Sequence, residues 1–174
     1  SIFRVQATIL RCFAEHLRSE GFTEIKTSKL IGTGTEGGTG LFAVEYFDTK
    51  VYLTQSPQIY KQALIASGLE RVFEIGPAYR AEKHDTPRHI NEFESLDVEM
   101  AFIDTENIIS IMEGLLRRIW KEVLGAEVPN PIPRMCYDEA MGRFGSDRPD
   151  LRFGMELVDI TELAHTTDFG VFKS

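Results

Sequence analysis

The chain has 174 residues, 43% of them apolar and 26% charged, the composition of one ordinary globular domain rather than of a disordered chain. Its 27 acidic and 19 basic side chains leave a net charge of −8, the wrong sign for a protein held on nucleic acid by one broad basic face. No apolar run approaches the ~20 residues that cross a bilayer, and Cys12 and Cys136 stand far apart with no C-x-x-C and no histidine at metal-ligand spacing; no membrane contact, disulfide framework or zinc site is indicated, and a reducing, cytoplasmic setting is the default.

In chain order, Ile2, Val5, Ile9, Leu10, Phe13 and Leu17 fall on one arc of a helix, opposite Arg4, Arg11, Glu15 and Arg18, with no signal or transit pattern before them. Gly21 stops that helix, and residues 22–29 alternate and are rich in β-formers, which predicts a strand. Residues 32–40 hold five glycines around one charge, Glu36, as expected of a mobile loop. Residues 41–47 and 51–54 predict a hairpin joined by Asp48-Thr49-Lys50. Ser56 is placed to cap a helix with Pro57 at its first position, running through Tyr60 and Leu64 to Gly68.

Residues 71–75 read as a short strand ended by Gly76-Pro77. Residues 78–82 and 92–102 read as an antiparallel pair joined by the polar loop 83–91. Ile108, Ile111, Met112, Leu115, Ile119 and Val123 give an amphipathic helix over residues 105–124, with Arg117, Arg118 and Lys121 near its end as dipole partners on a wet face rather than as an RNA site. Pro129-Asn130-Pro131-Ile132-Pro133 is a stiff linker. Beyond it, residues 138–144 suit a short helix, and 151–160 and 169–172 isolated strands.

Side chains alternate between the faces of a strand, which sorts residues 92–102 into two sets. Leu96, Val98, Met100 and Phe102 make a core face; Phe93, Ser95, Asp97 and Glu99 make the other. A solvated sheet face accounts for such a pattern by itself. Arg80 and Glu82 share one face of the partner strand, however, so the hairpin would present a guanidinium, carboxylates and a ring together, with Arg88 and His89 of the loop in reach of a polyphosphate. A guanidinium fork grips phosphate, a flat ring stacks on a base, and a carboxylate orients an amine. Gln58 and Lys61, three apart on one helical face, would together hold a carboxylate; a plain exposed helix face is the alternative.

Phe73-Glu74-Ile75-Gly76-Pro77-Ala78-Tyr79-Arg80-Ala81-Glu82, followed by Thr86-Pro87-Arg88-His89-Ile90-Asn91-Glu92-Phe93 and Leu96-Asp97-Val98-Glu99-Met100, resembles motif 2 of the class II aminoacyl-tRNA synthetases, in the wording of their archaeal and eukaryotic aspartyl branch. Thr35-Glu36-Gly37-Gly38 and Gln55-Ser56-Pro57-Gln58-Ile59-Tyr60-Lys61-Gln62 resemble the same branch, which covers residues 2–102 closely. Tyr137-Asp138-Glu139-Ala140-Met141 and Gly145-Ser146-Asp147-Arg148-Pro149-Asp150-Leu151-Arg152-Phe153 are similar instead to the bacterial branch just before its inserted domain.

The resemblance implies an α+β fold, an antiparallel sheet flanked by helices, on which ATP and aspartate react to aspartyl-adenylate before transfer to tRNA. By matching position Arg80 would be the catalytic residue, on the α-phosphate, with Glu82 on the adenine amino group, His89 on the outer phosphates and Phe93 stacked on adenine, while Arg88 is an ATP-binding candidate from its place in the loop. Gln58 and Lys61 would recognise aspartate, Lys61 through the side-chain carboxylate, with Asp97 and Glu36 near the ammonium; a cation at Lys61 argues against the asparaginyl enzymes. Such chemistry needs alignment and charge neutralisation by Arg80 and Mg²⁺ rather than a general base.

Two departures complete the expectations. Ser28 stands where motif 1 ends its strand with a proline at the dimer interface, and no motif 3 and no anticodon-binding barrel are recognised. The chain is therefore expected to be a piece of such an enzyme and a homodimer, with residues 1–128 an incomplete catalytic core and residues 129–174 a segment leading toward an insertion. The usual Mg²⁺ carboxylates would lie outside it, and no metal ligand is assigned within it. The alternatives are a truncated paralogue acting as a tRNA-independent amide ligase, or a non-catalytic dimerising module.

Overall fold

The structure is a computed structural model that describes residues 1–34, 40–83, 86 and 89–172. The chain forms two compact units, Ser1–Asn130 and Pro131–Ser174. None of the described helices is long and apolar enough to cross a membrane.

Two long helices build one side of the first unit. Helix α1 (Ile2–Ser19) ends as its sequence predicts, with the backbone turning at Gly21, φ +80°. Helix α3 (Thr105–Leu124) starts at a reciprocal cap: the Asp104 carboxylate accepts from Asn107 N at 3.1 Å, and the Asn107 amide oxygen accepts from Asp104 N at 3.0 Å. It stops at Gly125 in the left-handed region, φ +66°. Their seam buries Cys12, Leu115 and Ile119, with Ile9, Phe13, Met112 and Val123 packed around them. Arg118 serves there not as a dipole partner but as a cross-helix one, pairing with Glu15 of α1 and with Glu122. Leu115 is fully buried, so Leu115→Ala should cost about 2 to 5 kcal/mol, read as a lowered urea midpoint at unchanged slope.

The helices cover one face of a three-stranded sheet in the order β1-β5-β6. Strands β5 (Arg71–Tyr79) and β6 (Glu92–Met100) are antiparallel over nine pairs, from Arg71↔Met100 to Tyr79↔Glu92, and β1 (Thr23–Glu24) lies parallel beside Val72 and Phe73. Phe73, Leu17 and Phe22 form the core beneath, joined by Leu96, Val98 and Met100 on the expected face of β6. Phe102 departs from that expectation: β6 ends at Met100, Ala101 N bonds Glu70 O, and Phe102 is 95% exposed at φ +55° as the chain turns toward the α3 cap.

Four further expectations are corrected. Residues 22–29 are not one strand, because beyond β1 the Thr27 backbone N–H and hydroxyl bond the Glu74 carboxylate in place of a ladder partner. The chain re-enters a sheet at β2 (Leu30–Ile31), which pairs with β4 (Thr49–Leu53), itself paired with β3 (Ala43–Tyr46). That hairpin turns through Phe47-Asp48 rather than residues 48–50, since Tyr46 pairs Thr49 and Phe47 takes φ +51°. Helix α2 (Gln58–Ala66) has Pro57 as its N-cap, one residue later than expected, with Lys61 N bonded to Pro57 O.

The fourth correction concerns β5, which runs straight through Gly76-Pro77. Pro77 shares the phase of Phe73, Ile75 and Tyr79, whose backbone groups face away from β6: the Phe73 and Ile75 carbonyls accept from Ile25 N and Lys26 Nζ, and Tyr79 N donates to Thr54 O. The missing N–H of proline therefore removes no bond from the β5–β6 ladder.

In the second unit α4 (Tyr137–Phe144) ends at left-handed Gly145, and α5 covers Thr161–His165. The strands expected at 151–160 and 169–172 are single 3₁₀ turns, Leu151–Phe153 and Gly170–Phe172, with unpaired chain after the first. Side chains and one backbone bond supply the ties that a ladder would have made: Asp150 accepts from Arg152 N at 3.1 Å, Arg143 grips Glu156 at 2.6 Å, and Leu157 N donates to the Arg143 carbonyl.

Candidate active site

Residues directly opposed in an antiparallel pair carry their side chains on the same face. On the side of β5–β6 away from the core this aligns Val72 with Glu99, Glu74 with Asp97, Gly76 with Ser95 and Ala78 with Phe93. One end of the face is acidic, the middle is floored by small side chains, and the other end is aromatic.

Beyond the aromatic end the chain leaves the strand but keeps its alternation. Arg80 N donates to Asn91 O at 2.9 Å, and Glu82 N to the Asn91 side-chain oxygen at 3.2 Å. Arg80, Glu82, His89, Ile90 and Phe93 consequently line one cavity of about 230 Å³. Within it the Arg80 guanidinium lies 5.4 Å from the Phe93 ring centroid, at cation–π range. The His89 imidazole is aimed by a turn: its Nδ1 lies 2.6 Å from the Thr86 hydroxyl, and the His89 backbone N–H donates to Thr86 O at 2.9 Å. Four of the residues singled out from the sequence thus converge, joined by Ile90, whose apolar side chain gave no signal of its own. Arg88 lies outside the described residues, as does Glu36.

At the acidic end α2 docks its first turn on β6. Lys61 is not on an open helix face: its side chain is 6% exposed, with Nζ 3.2 Å from Asp97 Oδ1, 3.5 Å from Glu99 Oε2 and 3.4 Å from Val98 O. Gln58 stands one turn earlier, half-buried. The buried run Thr54, Gln55 and Ser56 fixes where α2 begins, because Thr54 N bonds Lys29 O and Thr54 O receives Tyr79 N.

Glu74 and Lys29 share this face and were not anticipated. Glu74 is 1% exposed, and its carboxylate accepts from Lys29 Nζ at 2.8 Å, the Thr27 hydroxyl at 2.7 Å and Thr27 N at 2.9 Å. Its phase, three alternations before Arg80, marks the same face, but an expected strand break at Gly76-Pro77 hides that relation. Burial alone pushes the Glu74 carboxyl up; the bonds from Lys29 and Thr27 outweigh it and hold the group below the usual carboxylate range. A depressed folded-state pKa contributes stability that is complete above the unfolded value of about 4.3 and is lost as pH falls through the lower folded value. Thermal midpoints measured from pH 7 to pH 3 should therefore fall less steeply in Glu74→Gln than in the wild type, and parallel acid limbs would refute the assignment.

A guanidinium beside an aromatic ring can take a phosphorylated, ring-bearing molecule at one end of this face, and a lysine among carboxylates can take a charged amino acid at the other. Among the described residues no group of three or more His, Cys, Asp or Glu side chains is arranged to hold a metal ion.

Known proteins resemble this chain over most of its length. The aspartate–tRNA(Asp/Asn) ligase of Archaeoglobus fulgidus is 44% identical over 153 residues, 80% of this chain and 36% of that protein. The aspartate–tRNA(Asp) ligase of Pyrobaculum aerophilum is 50% identical over 155 residues, 82% of this chain and 36% of that protein. The asparaginyl-tRNA synthetase of Pyrococcus horikoshii, solved with asparaginyl-adenylate, superposes with a TM-score of 0.65 at 37% identity, over 71% of this chain and 28% of that one. The chain thus spans little more than a third of the length of these ligases. Neither the amide-ligase nor the dimerising-module alternative is favoured by relatives of this kind. The family model of the class II tRNA synthetases (D, K and N) matches residues 1–171, and with these identities it establishes that the chain belongs to that family.

Proposed function

We propose that this chain supplies ATP- and aspartate-binding surface to an aspartate–tRNA ligase. The observation that carries the reading is the alignment on one sheet face of the Arg80–Glu82–His89–Phe93 cavity with the Lys61–Asp97 pair, across the Gly76–Ser95 floor. Adenine stacks on Phe93 with its amino group at Glu82, the α-phosphate meets Arg80, and the outer phosphates lie toward His89 and Arg88. The aspartate side-chain carboxylate pairs with Lys61 beside Gln58, and its ammonium faces Asp97 and Glu36. The α-carboxylate then attacks the α-phosphorus, the bond to the leaving pyrophosphate breaks, and Arg80 balances the charge gathered on the phosphoryl oxygens.

Mg²⁺ favours sites made of carboxylates and substrate phosphates. Among the described residues Glu82 is the one carboxylate lining the nucleotide cavity, so these residues do not build a Mg²⁺ site by themselves, and no step here passes through the ion. Transfer to tRNA, a cytoplasmic setting and a homodimer belong to the same proposal. Self-association is supported by the apolar side chains that α1 leaves exposed, Ile2, Phe3 and Val5, and sedimentation velocity measures it.

The test is pyrophosphate exchange into ATP by the product of the complete open reading frame that contains this chain. Exchange should require aspartate, with asparagine a poor substitute. Exchange that ignores the amino acid supplied would overturn the reading.

A further inference from the structure

The pairing that builds the site also sets two carboxylates side by side. Glu74 and Asp97 are direct partners in the β5–β6 register, where opposed side chains leave the sheet about 5 Å apart. Each is matched by its own lysine, Glu74 by Lys29 at 2.8 Å and Asp97 by Lys61 at 3.2 Å, while Lys61 also has Glu99 at 3.5 Å. Lys61 already stands among carboxylates, so its capacity for a further one depends on how much negative charge it must balance.

We infer that Lys29 is a positioning residue for amino-acid specificity: by neutralising Glu74 it leaves the Lys61 ammonium available to the side-chain carboxylate of the substrate. Three features make Lys29 suited to this. It reaches Glu74 directly over Gly76, where an added Cβ would lie in ordinary van der Waals contact, 3.5 Å from Lys29 Cε, Lys29 Nζ and Glu74 Oε1. Its ammonium is steadied by the Thr27 hydroxyl at 3.1 Å, which also bonds Glu74. Its carbonyl accepts from Thr54 N at 3.0 Å, in the buried run that leads into the helix bearing Lys61. Without the Lys29 charge, Glu74 keeps only the neutral donors of Thr27, and among the described residues the cation remaining at the acidic end of its face is Lys61. A lysine drawn toward a third fixed carboxylate binds a free one less well.

This rests on the reading of Lys61 given under Proposed function, and the experiment separates the two. In the complete open reading frame product, Lys29→Met should raise the aspartate KM about tenfold while the ATP KM and kcat stay within about twofold, and Lys29→Arg should leave the aspartate KM near wild type. The double substitution Lys29→Met with Glu74→Gln removes the competing charge and should return the aspartate KM to within about threefold of wild type. Lys29→Gln, which retains a hydrogen bond to Glu74 without the charge, takes the place of Lys29→Met should that variant fail to fold. An unchanged aspartate KM, a parallel rise in both KM values, or a double variant no better than the single one overturns the inference and leaves Lys29 a structural tie. If Lys61→Met does not alter the preference for aspartate over asparagine, the reading of Lys61 falls and this inference with it; if it does alter that preference while Lys29 variants have no effect, the inference falls alone.

Discussion

Arg80→Ala is expected to lower aspartate-dependent pyrophosphate exchange by on the order of 10²-fold or more, the scale of removing a preorganised electrostatic stabiliser. Its guanidinium projects into the cavity that also holds Phe93, Glu82 and His89, and among the described residues lining that cavity it is the one side chain with a permanent positive charge. A stacked base at Phe93 would leave the α-phosphate within reach of Arg80, because the two side chains are 5.4 Å apart, guanidinium carbon to ring centre. The loss should appear mainly in kcat, since charge on the phosphoryl oxygens is greatest in the transition state. Arg80→Lys should recover part of it by restoring charge without the planar fork. Unaltered exchange in Arg80→Ala would place the α-phosphate elsewhere.

Lys61→Met should cost about 2 to 5 kcal/mol in aspartate recognition, much of it the penalty of leaving the substrate carboxylate unpaired. The same substitution strips Asp97 and Glu99 of their cation in a nearly buried place, and breaking such a pair destabilises the fold as well. The two effects are told apart by measuring the thermal midpoint beside the ratio of kcat/KM for aspartate and asparagine. Loss of stability with full retention of the aspartate preference would make Lys61 a structural ion-pair member; collapse of the preference supports its role in recognition, because asparagine presents a neutral amide and loses little when the cation goes.

Much of this architecture was legible in the residues. The apolar arcs of α1 and α3 are local properties, decided within a few residues of chain, and the helix bounds 105–124 read from periodicity are those observed. The alternation of β6 likewise separated Leu96, Val98 and Met100 from Phe93, Asp97 and Glu99, because a strand has no other way to present its side chains. Arg80, Glu82, His89 and Phe93 were marked by residue type and spacing, and they do share a cavity.

Other features exist only once distant segments meet. Proline reads as a strand end in isolation, yet Pro77 continues β5 because its missing donor points away from β6, a fact set by which edge pairs with which. Lys61 on a short helix has the pattern of a wet face until α2 docks on β6 and buries it against Asp97 and Glu99. Glu74, 45 residues from Lys29, becomes an anchored carboxylate only because the segment after β1 crosses it, and that crossing ends the strand expected at residues 22–29. Local pattern therefore determined the long helices, the two faces of β6 and the side chains that line the cavity. Tertiary packing decided which charges are buried and paired, since a charge's surroundings depend on residues brought near it from elsewhere in the chain.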